Sequence, residues 1–188
     1  MPTGRALPDA RNMLLDAGRR VLSAHGAAAL TSRSVTEASG VAKGVLHRHF
    51  EDFDDYVAAL VIDETRRIRG IEPRVGDSAT AAVADVIEQV FTPTMLALVG
   101  LVLGRDGVRR RVGDDSPGIP LLGDATAAVA DVLAAGREVG WIRADADVPV
   151  LALAVTGSAY LLSAGASGAL ADQGAVREFV GSILAPNL

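Results

Sequence analysis

The chain has 188 residues, no cysteine and a formal net charge of −5 at neutral pH. This length suffices for one compact core, or for a small head on a larger body. The absence of cysteine excludes disulfides and thiolate metal sites, and residues 1–12 lack the apolar core of a signal peptide. We therefore expect a cytoplasmic protein.

Charge is spread unevenly along the chain. Residues 1–50 carry seven basic and three acidic side chains, a net charge of +4. The remaining residues carry eleven basic and twenty acidic side chains, a net charge of −9. A basic head on an acidic body is typical of a protein that contacts nucleic acid through one part only.

Two short helices joined by a tight turn are predicted within residues 26–50. Thr31 is a suitable N-cap for the first, because its hydroxyl can accept a free backbone N–H, and Gly40 can end that helix in the left-handed conformation. The second helix, 42–49, is too short to be stable alone, but a short basic helix packed across its neighbour suits a DNA groove. The pattern indicates a helix-turn-helix, with a core of Leu22, Val35, Val41, Leu46 and Phe50.

Roughly the first 70 residues resemble the DNA-binding head of the tetracycline-repressor (TetR) family of bacterial transcriptional regulators. The resemblance is carried by MLLDAGRRVLSAHG (13–26), by SRSVTEASGVAKGVLHRHF (32–50), and by the amphipathic start of a further helix over 54–69. It implies an all-α protein of about nine helices. Residues 1–53 would form the DNA-binding domain and 54–188 the effector-binding and dimerisation domain, with helix 54–69 connecting the two.

The motif and the resemblance together predict a set of DNA-contacting residues: Thr31, Arg33, Lys43, Gly44, Val45, His47 and Arg48. Lys43 can contact a phosphate or a base edge, or be a solvated surface lysine. Arg48 is a candidate for bidentate contact with guanine, although a salt bridge to Glu51 would explain it equally well. His47 stands where the family usually has a tyrosine, and can still donate a hydrogen bond to phosphate.

Two features weaken the DNA prediction. Phe53 stands where the family usually has a lysine close to DNA, and it lies within an acidic run formed by Glu51, Asp52, Asp54 and Asp55. Carboxylates at a helix N-terminus stabilise the helix through its dipole, but they repel phosphate. We therefore expect modest affinity for a specific operator. The alternative function is a small-molecule-binding or protein-interaction dimer with weak or lost DNA binding.

The rest of the chain is predicted to be helical. The expected features, in chain order, are a helix over 78–91 capped by Asp77, a break at Pro93, a short apolar helix over 94–103, a mobile loop over 104–120, an amphipathic helix over 121–139, and two final helices over roughly 149–167 and 172–185.

Residues 148–171 carry no formal charge and are long enough to span a bilayer. Pro149 at the start and the lack of a flanking basic cluster favour a different interpretation, a helix buried at a subunit interface. A two-fold partner is the simplest cover for such a helix. The resemblance implies that the last two helices form a four-helix interface in a homodimer.

The resemblance also implies a small-molecule effector site in the body. The predicted lining is Phe91, Met95, Leu98, Val99, Val102, Leu121, Val129, Trp141, Thr156 and Tyr160, although for each residue taken alone ordinary core is the favoured interpretation. The effector should be largely apolar. No catalytic motif is present, so we expect no enzymatic activity, metal or cofactor. The sequence therefore predicts a homodimeric regulator, most simply a repressor, released from a palindromic operator by its effector.

Overall fold

The computed structural model describes residues 10–72, 77–113, 118–165 and 173–188. Ten α-helices and no strand lie in these ranges, which confirms the all-α prediction. The helices are α1 (Ala10–His25), α2 (Ser32–Ser39), α3 (Lys43–His49), α4 (Phe53–Arg69), α5 (Ala79–Val90), α6 (Pro93–Gly104), α7 (Asp106–Val112), α8 (Leu122–Glu138), α9 (Val148–Gly165) and α10 (Gln173–Leu184).

Two local predictions in the body are wrong. The N-cap of α5 is Ser78 and not Asp77, because the Ser78 hydroxyl accepts the backbone N–H of Ala81 at 3.2 Å. The expected loop over 104–120 contains α7, a two-turn helix with Val108 fully buried. This helix raises the number above the nine expected. Residues 114–117 of that stretch, and the predicted helix ends at 166–167 and 172, lie outside the described residues.

The helices form a head and a body that share α1 and α4. In the head, α1 packs against α2 and α3, and α2 packs against α3. The same α1 also contacts α4 and α6, while α4 contacts α6, α7 and α8. The body is closed by α8 against α5 and α9, and by α10 against α5. The orientation of the head is therefore set by α1 and α4, the two helices that also pack within the body.

The carboxyl end of α4 is held to α8 by a buried carboxylate. Asp124 is 4% exposed and accepts hydrogen bonds from Arg69 Nε at 2.8 Å and from the backbone N–H of Leu121 at 3.2 Å. Leu121 has φ of 70° although it is not glycine, a conformation that costs free energy unless the surroundings enforce it. Asp124 thus stabilises both the strained start of α8 and the end of α4.

One face of α9 is buried and the opposite face is exposed and apolar. Ala152, Val155 and Ala159 are buried, whereas Leu153 and Leu161 are 65% and 72% exposed. No single described helix is long and apolar enough to cross a membrane. The pair Ala79–Val90 and Pro93–Gly104, which is bent by 65°, is long and apolar enough only when its two helices are taken together.

Candidate nucleic-acid interface

The turn between α2 and α3 is fixed by caps at both ends of α2. The Thr31 hydroxyl accepts the backbone N–H of Ser34 at 3.1 Å, and the Ser34 hydroxyl accepts the backbone N–H of Thr31 at 3.0 Å. Gly40 ends the helix with φ of 70°, the left-handed conformation that glycine adopts at little cost. Both predicted caps are confirmed, and together they set the angle at which α3 leaves α2.

The inner face of the helix-turn-helix is buried as predicted. Val35 and Leu46 are fully buried and Phe50 is 3% exposed, while Val41 is partly buried. With Leu46 turned inward, the neighbouring residues of α3 face outward: Gly44, His47, Arg48 and His49 are exposed, and Val45 is half-buried. The side chain of Lys43, the first residue of α3, lies outside the described part of the structure.

On the exposed face of α3, the Arg48 guanidinium is not engaged by Glu51, the acidic residue that follows the helix. Glu51 pairs with Arg111 at 3.8 Å, and no hydrogen bond or ion pair joins Glu51 to Arg48 among the described residues. On α2, the exposed Arg33 donates to Glu37 one turn later, at 2.8 Å. This bond raises the pKa of the Arg33 guanidinium, which stays charged, and a surface pair of this kind is weak enough to be exchanged for a phosphate.

Arginines of the body pair with the acidic start of α4. Arg105 Nε donates to the Asp54 carboxylate at 2.8 Å, and Arg111 donates to Asp52 at 2.7 Å. Asp52 also caps α4 by accepting the backbone N–H of Asp55 at 2.8 Å. The Asp55 carboxylate in turn accepts the backbone N–H of Glu51 at 2.9 Å. Sequence reasoning missed both arginines, because they lie more than fifty residues further along the chain.

Aromatic rings also connect the end of α3 to the start of α4. Phe50 meets Tyr56 edge to face, with ring centroids 5.0 Å apart, and Phe53 stacks on Tyr56 at 5.6 Å. The Arg105 guanidinium lies 5.6 Å from the centroid of the Phe53 ring. Phe53 is therefore part of the joint between head and body.

Tyr56 holds α4 to α1. Its side chain is fully buried, and its hydroxyl donates to the Leu14 carbonyl at 2.8 Å. Burial raises the pKa of the Tyr56 hydroxyl, so it remains a protonated donor. The close approach of the two helices requires Gly18, where a Cβ would collide with the Tyr56 hydroxyl.

The predicted effector-site residues do not line one common cavity among those described. Phe91, Met95, Leu98, Val99, Val102, Leu121 and Val129 are almost fully buried in the core. Trp141 is half-buried and lies beside Gly136, at the far end of α8. Of the predicted residues, only Thr156 and Tyr160 line the described groove between α8 and α9. This groove has a volume of about 310 Å³.

The lining of this groove is almost entirely apolar. Besides Thr156 and Tyr160 it consists of Gly118, Ile119, Leu122, Gly123, Thr126, Leu153 and Gly157. The Thr126 hydroxyl is engaged, since it donates to the Leu122 carbonyl at 2.8 Å. Thr156 is 2% exposed, and its hydroxyl has no hydrogen-bond partner within the described residues.

The chain combines a helix-turn-helix, a motif that docks in the major groove of DNA, with an all-α body. Residues 14–60 match the family model of the bacterial regulatory proteins of the tetR family. The match covers the helix-turn-helix head and the first half of α4, so this part of the chain is similar to the regulators of that family. No curated protein is detectably similar to it in sequence.

Solved structures share the whole fold at low sequence identity. Reduced NemR of Escherichia coli superposes with a TM-score of 0.69 at 15% identity, over 94% of this chain and 97% of that one. The multidrug binding protein EbrR in complex with ethidium gives 0.62 at 19%, over 94% and 99%. FadR, the fatty acid degradation regulator of Bacillus halodurans, gives 0.66 at 16%, over 94% of each chain. At these identities the similarity shows the fold alone.

Proposed function

We propose that the protein is a homodimeric transcriptional repressor that binds a roughly palindromic operator in the cytoplasm. The observation that carries this proposal is the exposed face of α3, on which Gly44, His47 and Arg48 point away from the buried Leu46. A recognition helix presented in this way fits the major groove. Two such helices in a dimer would read half-sites about 34 Å apart.

Each residue of the predicted DNA set has a role in this proposal. Arg48 contacts guanine in the major groove, because its guanidinium is exposed and not paired with Glu51. Lys43, Thr31 and Arg33 contact phosphates, and Val45 contacts a thymine methyl group. These contacts place the start of both short helices against the DNA backbone.

Gly44 and His47, the two remaining residues of the predicted DNA-contacting set, affect how closely α3 approaches DNA. A Cβ at Gly44 would meet nothing within 4 Å in the free protein. The glycine is therefore not required by packing, and its function is to let the α3 backbone approach the groove closely. The exposed His47 donates a hydrogen bond to phosphate.

These roles are tested by substitutions at Arg48 and Lys43, with the operator first selected from a random duplex pool. Arg48→Ala should relax the preference at one base-pair position, at a cost of about 1–3 kcal/mol for the preferred base. Lys43→Ala should weaken binding of all sequences and reduce the salt slope by about 1. Arg137→Ala, an exposed arginine at the far end of α8, is the control. Equal binding by the wild type and both head variants would contradict the assignment.

The proposed dimer forms through α9 and α10. The outer face of α9 carries Val150, Leu153, Gly157 and Leu161 without a charge, and Val150 is 59% exposed. An uncharged apolar helix face is covered most simply by the same face of a second subunit. The head would then comprise residues 1–53 and the body 54–188, with α4 joining them.

The effector would bind in the groove between α8 and α9. Its lining contains no charged side chain and offers the hydroxyls of Thr156 and Tyr160, so it suits an apolar ligand with one or two polar groups. EbrR, of the same fold, has been solved with ethidium, which therefore serves as a probe. A bound effector would favour a dimer whose heads no longer match the operator spacing.

This site is tested by ethidium fluorescence in the absence of DNA. Tyr160→Ala should weaken ethidium binding, because it removes one wall of the groove. Leu162→Ala, on the same helix and 47% exposed but outside the groove lining, should leave it unchanged. Unchanged binding by Tyr160→Ala would place the ligand elsewhere.

A further inference from the structure

The acidic start of α4 lies next to the proposed recognition helix. Phe50 ends α3, and Glu51 and Asp52 follow it directly along the chain. Both side chains are largely exposed, at 82% and 50%. Any phosphate that approaches the carboxyl end of α3 therefore also approaches these two carboxylates. Without compensation they would oppose DNA binding.

The compensation comes from Arg111 of α7 and from Arg105, the residue that precedes this helix. Arg111 lies within ion-pair distance of both carboxylates, 2.7 Å from Asp52 and 3.8 Å from Glu51. One turn and a half earlier, Arg105 is hydrogen bonded to Asp54. The carboxylates thus lie at or just before the start of the connecting helix, and the arginines lie in the body.

The packing of α7 on α4 is close enough to hold this arrangement. A Cβ at Gly107 would collide with the Asp54 carboxylate, so only the Asp54 side chain lies between the two helices at this point. Val108 is fully buried on the same helix. The neighbouring Arg109, in contrast, is paired within α7 to Asp106, and no hydrogen bond or ion pair joins it to α4 among the described residues.

We propose that Arg105 and Arg111 are counter-charges that the body supplies to the head, so that DNA affinity depends on α7 being docked on α4. With α7 in place, Glu51, Asp52 and Asp54 each lie within ion-pair distance of an arginine of the body. Displacement of α7 exposes the carboxylates to phosphate and lowers the affinity. This inference rests on the proposed function, and it adds an electrostatic route by which the body controls the head.

The alternative role for these ion pairs is purely structural. The two roles predict opposite effects of Asp52→Asn on DNA affinity. An ion pair that only stabilises the packing of α7 on α4 is lost when either partner is removed, so Arg111→Ala and Asp52→Asn would both weaken DNA binding. A counter-charge behaves differently. Arg111→Ala leaves a bare carboxylate near phosphate, whereas Asp52→Asn removes the carboxylate and leaves a cation. Asparagine caps a helix as well as aspartate does, so α4 keeps its N-cap.

The experiment measures operator affinity by fluorescence anisotropy for the wild type and four variants: Arg111→Ala, Asp52→Asn, the double variant, and Arg109→Ala. The last removes the same charge from the same helix without touching α4. At about 0.03 M salt we expect Arg111→Ala to bind roughly three- to tenfold more weakly than Arg109→Ala. The ratio of the two affinities should approach one at about 0.5 M salt, where charges are screened within a few ångströms.

The other variants decide between the two roles. We expect Asp52→Asn to bind at least as tightly as the wild type, and the double variant to recover the affinity lost in Arg111→Ala. Far-ultraviolet circular dichroism checks that all variants are folded. Weaker binding by Asp52→Asn, or equal affinities for Arg111→Ala and Arg109→Ala, would overturn the inference while leaving the proposed function intact. If the wild type bound no DNA at low salt, the proposed function and the inference would both be wrong.

Discussion

Replacing Gly18 by alanine tests the contact that holds α4 on α1. The new Cβ would lie 3.0 Å from the Leu60 Cδ1 and 3.1 Å from the Tyr56 Cζ, and it would displace the Tyr56 hydroxyl from the Leu14 carbonyl. Overpacking costs about 1–3 kcal/mol and the lost hydrogen bond about 0.5–1.5 kcal/mol. Alanine regains about 1 kcal/mol of helix propensity. We expect Gly18→Ala to lower the free energy of unfolding by about 1–3 kcal/mol.

The measurement is urea unfolding followed by circular dichroism at one protein concentration, because dimerisation makes stability depend on concentration. Gly100→Ala is the matched control: it is also within a helix, and its Cβ would meet nothing within 4 Å. It should raise stability by up to about 1 kcal/mol. In a Tyr56→Phe background, Gly18→Ala should cost about 1 kcal/mol less than in the wild type, because the colliding oxygen is gone. A Gly18→Ala protein as stable as the wild type, or an equal cost in both backgrounds, would refute the reasoning.

Three further substitutions test the head, the body and the dimer. Thr31→Ala removes the cap of α2 and should lower the free energy of unfolding by about 1 kcal/mol; an unchanged urea midpoint would show that the cap is dispensable. Asp124→Ala leaves the buried N–H of Leu121 without its acceptor and should cost about 1–3 kcal/mol, whereas Asp131→Ala, an exposed acid of the same helix, should cost little. Leu161→Asp places a charge on the exposed apolar face of α9 and should yield monomers in light scattering; an intact dimer would place the interface elsewhere.

The helix-turn-helix could be predicted from sequence because its signals are local. Thr31 and Gly40 cap a helix of eight residues, and the buried Val35 and Leu46 fall at helical spacing around the turn. Each signal acts over a few residues, so the sequence contains it directly. The error at Asp77 is of the same local kind, since two adjacent residues can both cap and the structure uses Ser78.

The joint between head and body could not be predicted in this way. The bond between Arg105 and Asp54 spans 51 residues, and the bond between Arg111 and Asp52 spans 59. No rule of spacing relates positions so far apart. The helix α7 was missed because it is only seven residues long and contains Gly107, which suggests a loop until the close approach of α4 is seen.

The lining of a ligand site is difficult to predict for a different reason. Met95, Leu98 and Val102 have the composition expected of an apolar pocket, but the same composition fills a core, and all three are fully buried. Thr156 carried a better signal, because it is one of only four hydroxyl-bearing residues on an uncharged helix. Its exceptional feature, a buried hydroxyl without a partner within the described residues, is visible only in three dimensions.

The central claim, that the head binds specific DNA, is tested most directly by anisotropy titration of the wild-type protein across a salt series. The DNA would be a duplex from its own upstream region, compared with a scrambled duplex of equal length. The account predicts tight binding to the first duplex, weaker binding to the second, and an affinity that falls steeply as salt increases. Equal affinities and a flat salt response would contradict it and would favour an interaction dimer whose head has lost DNA binding.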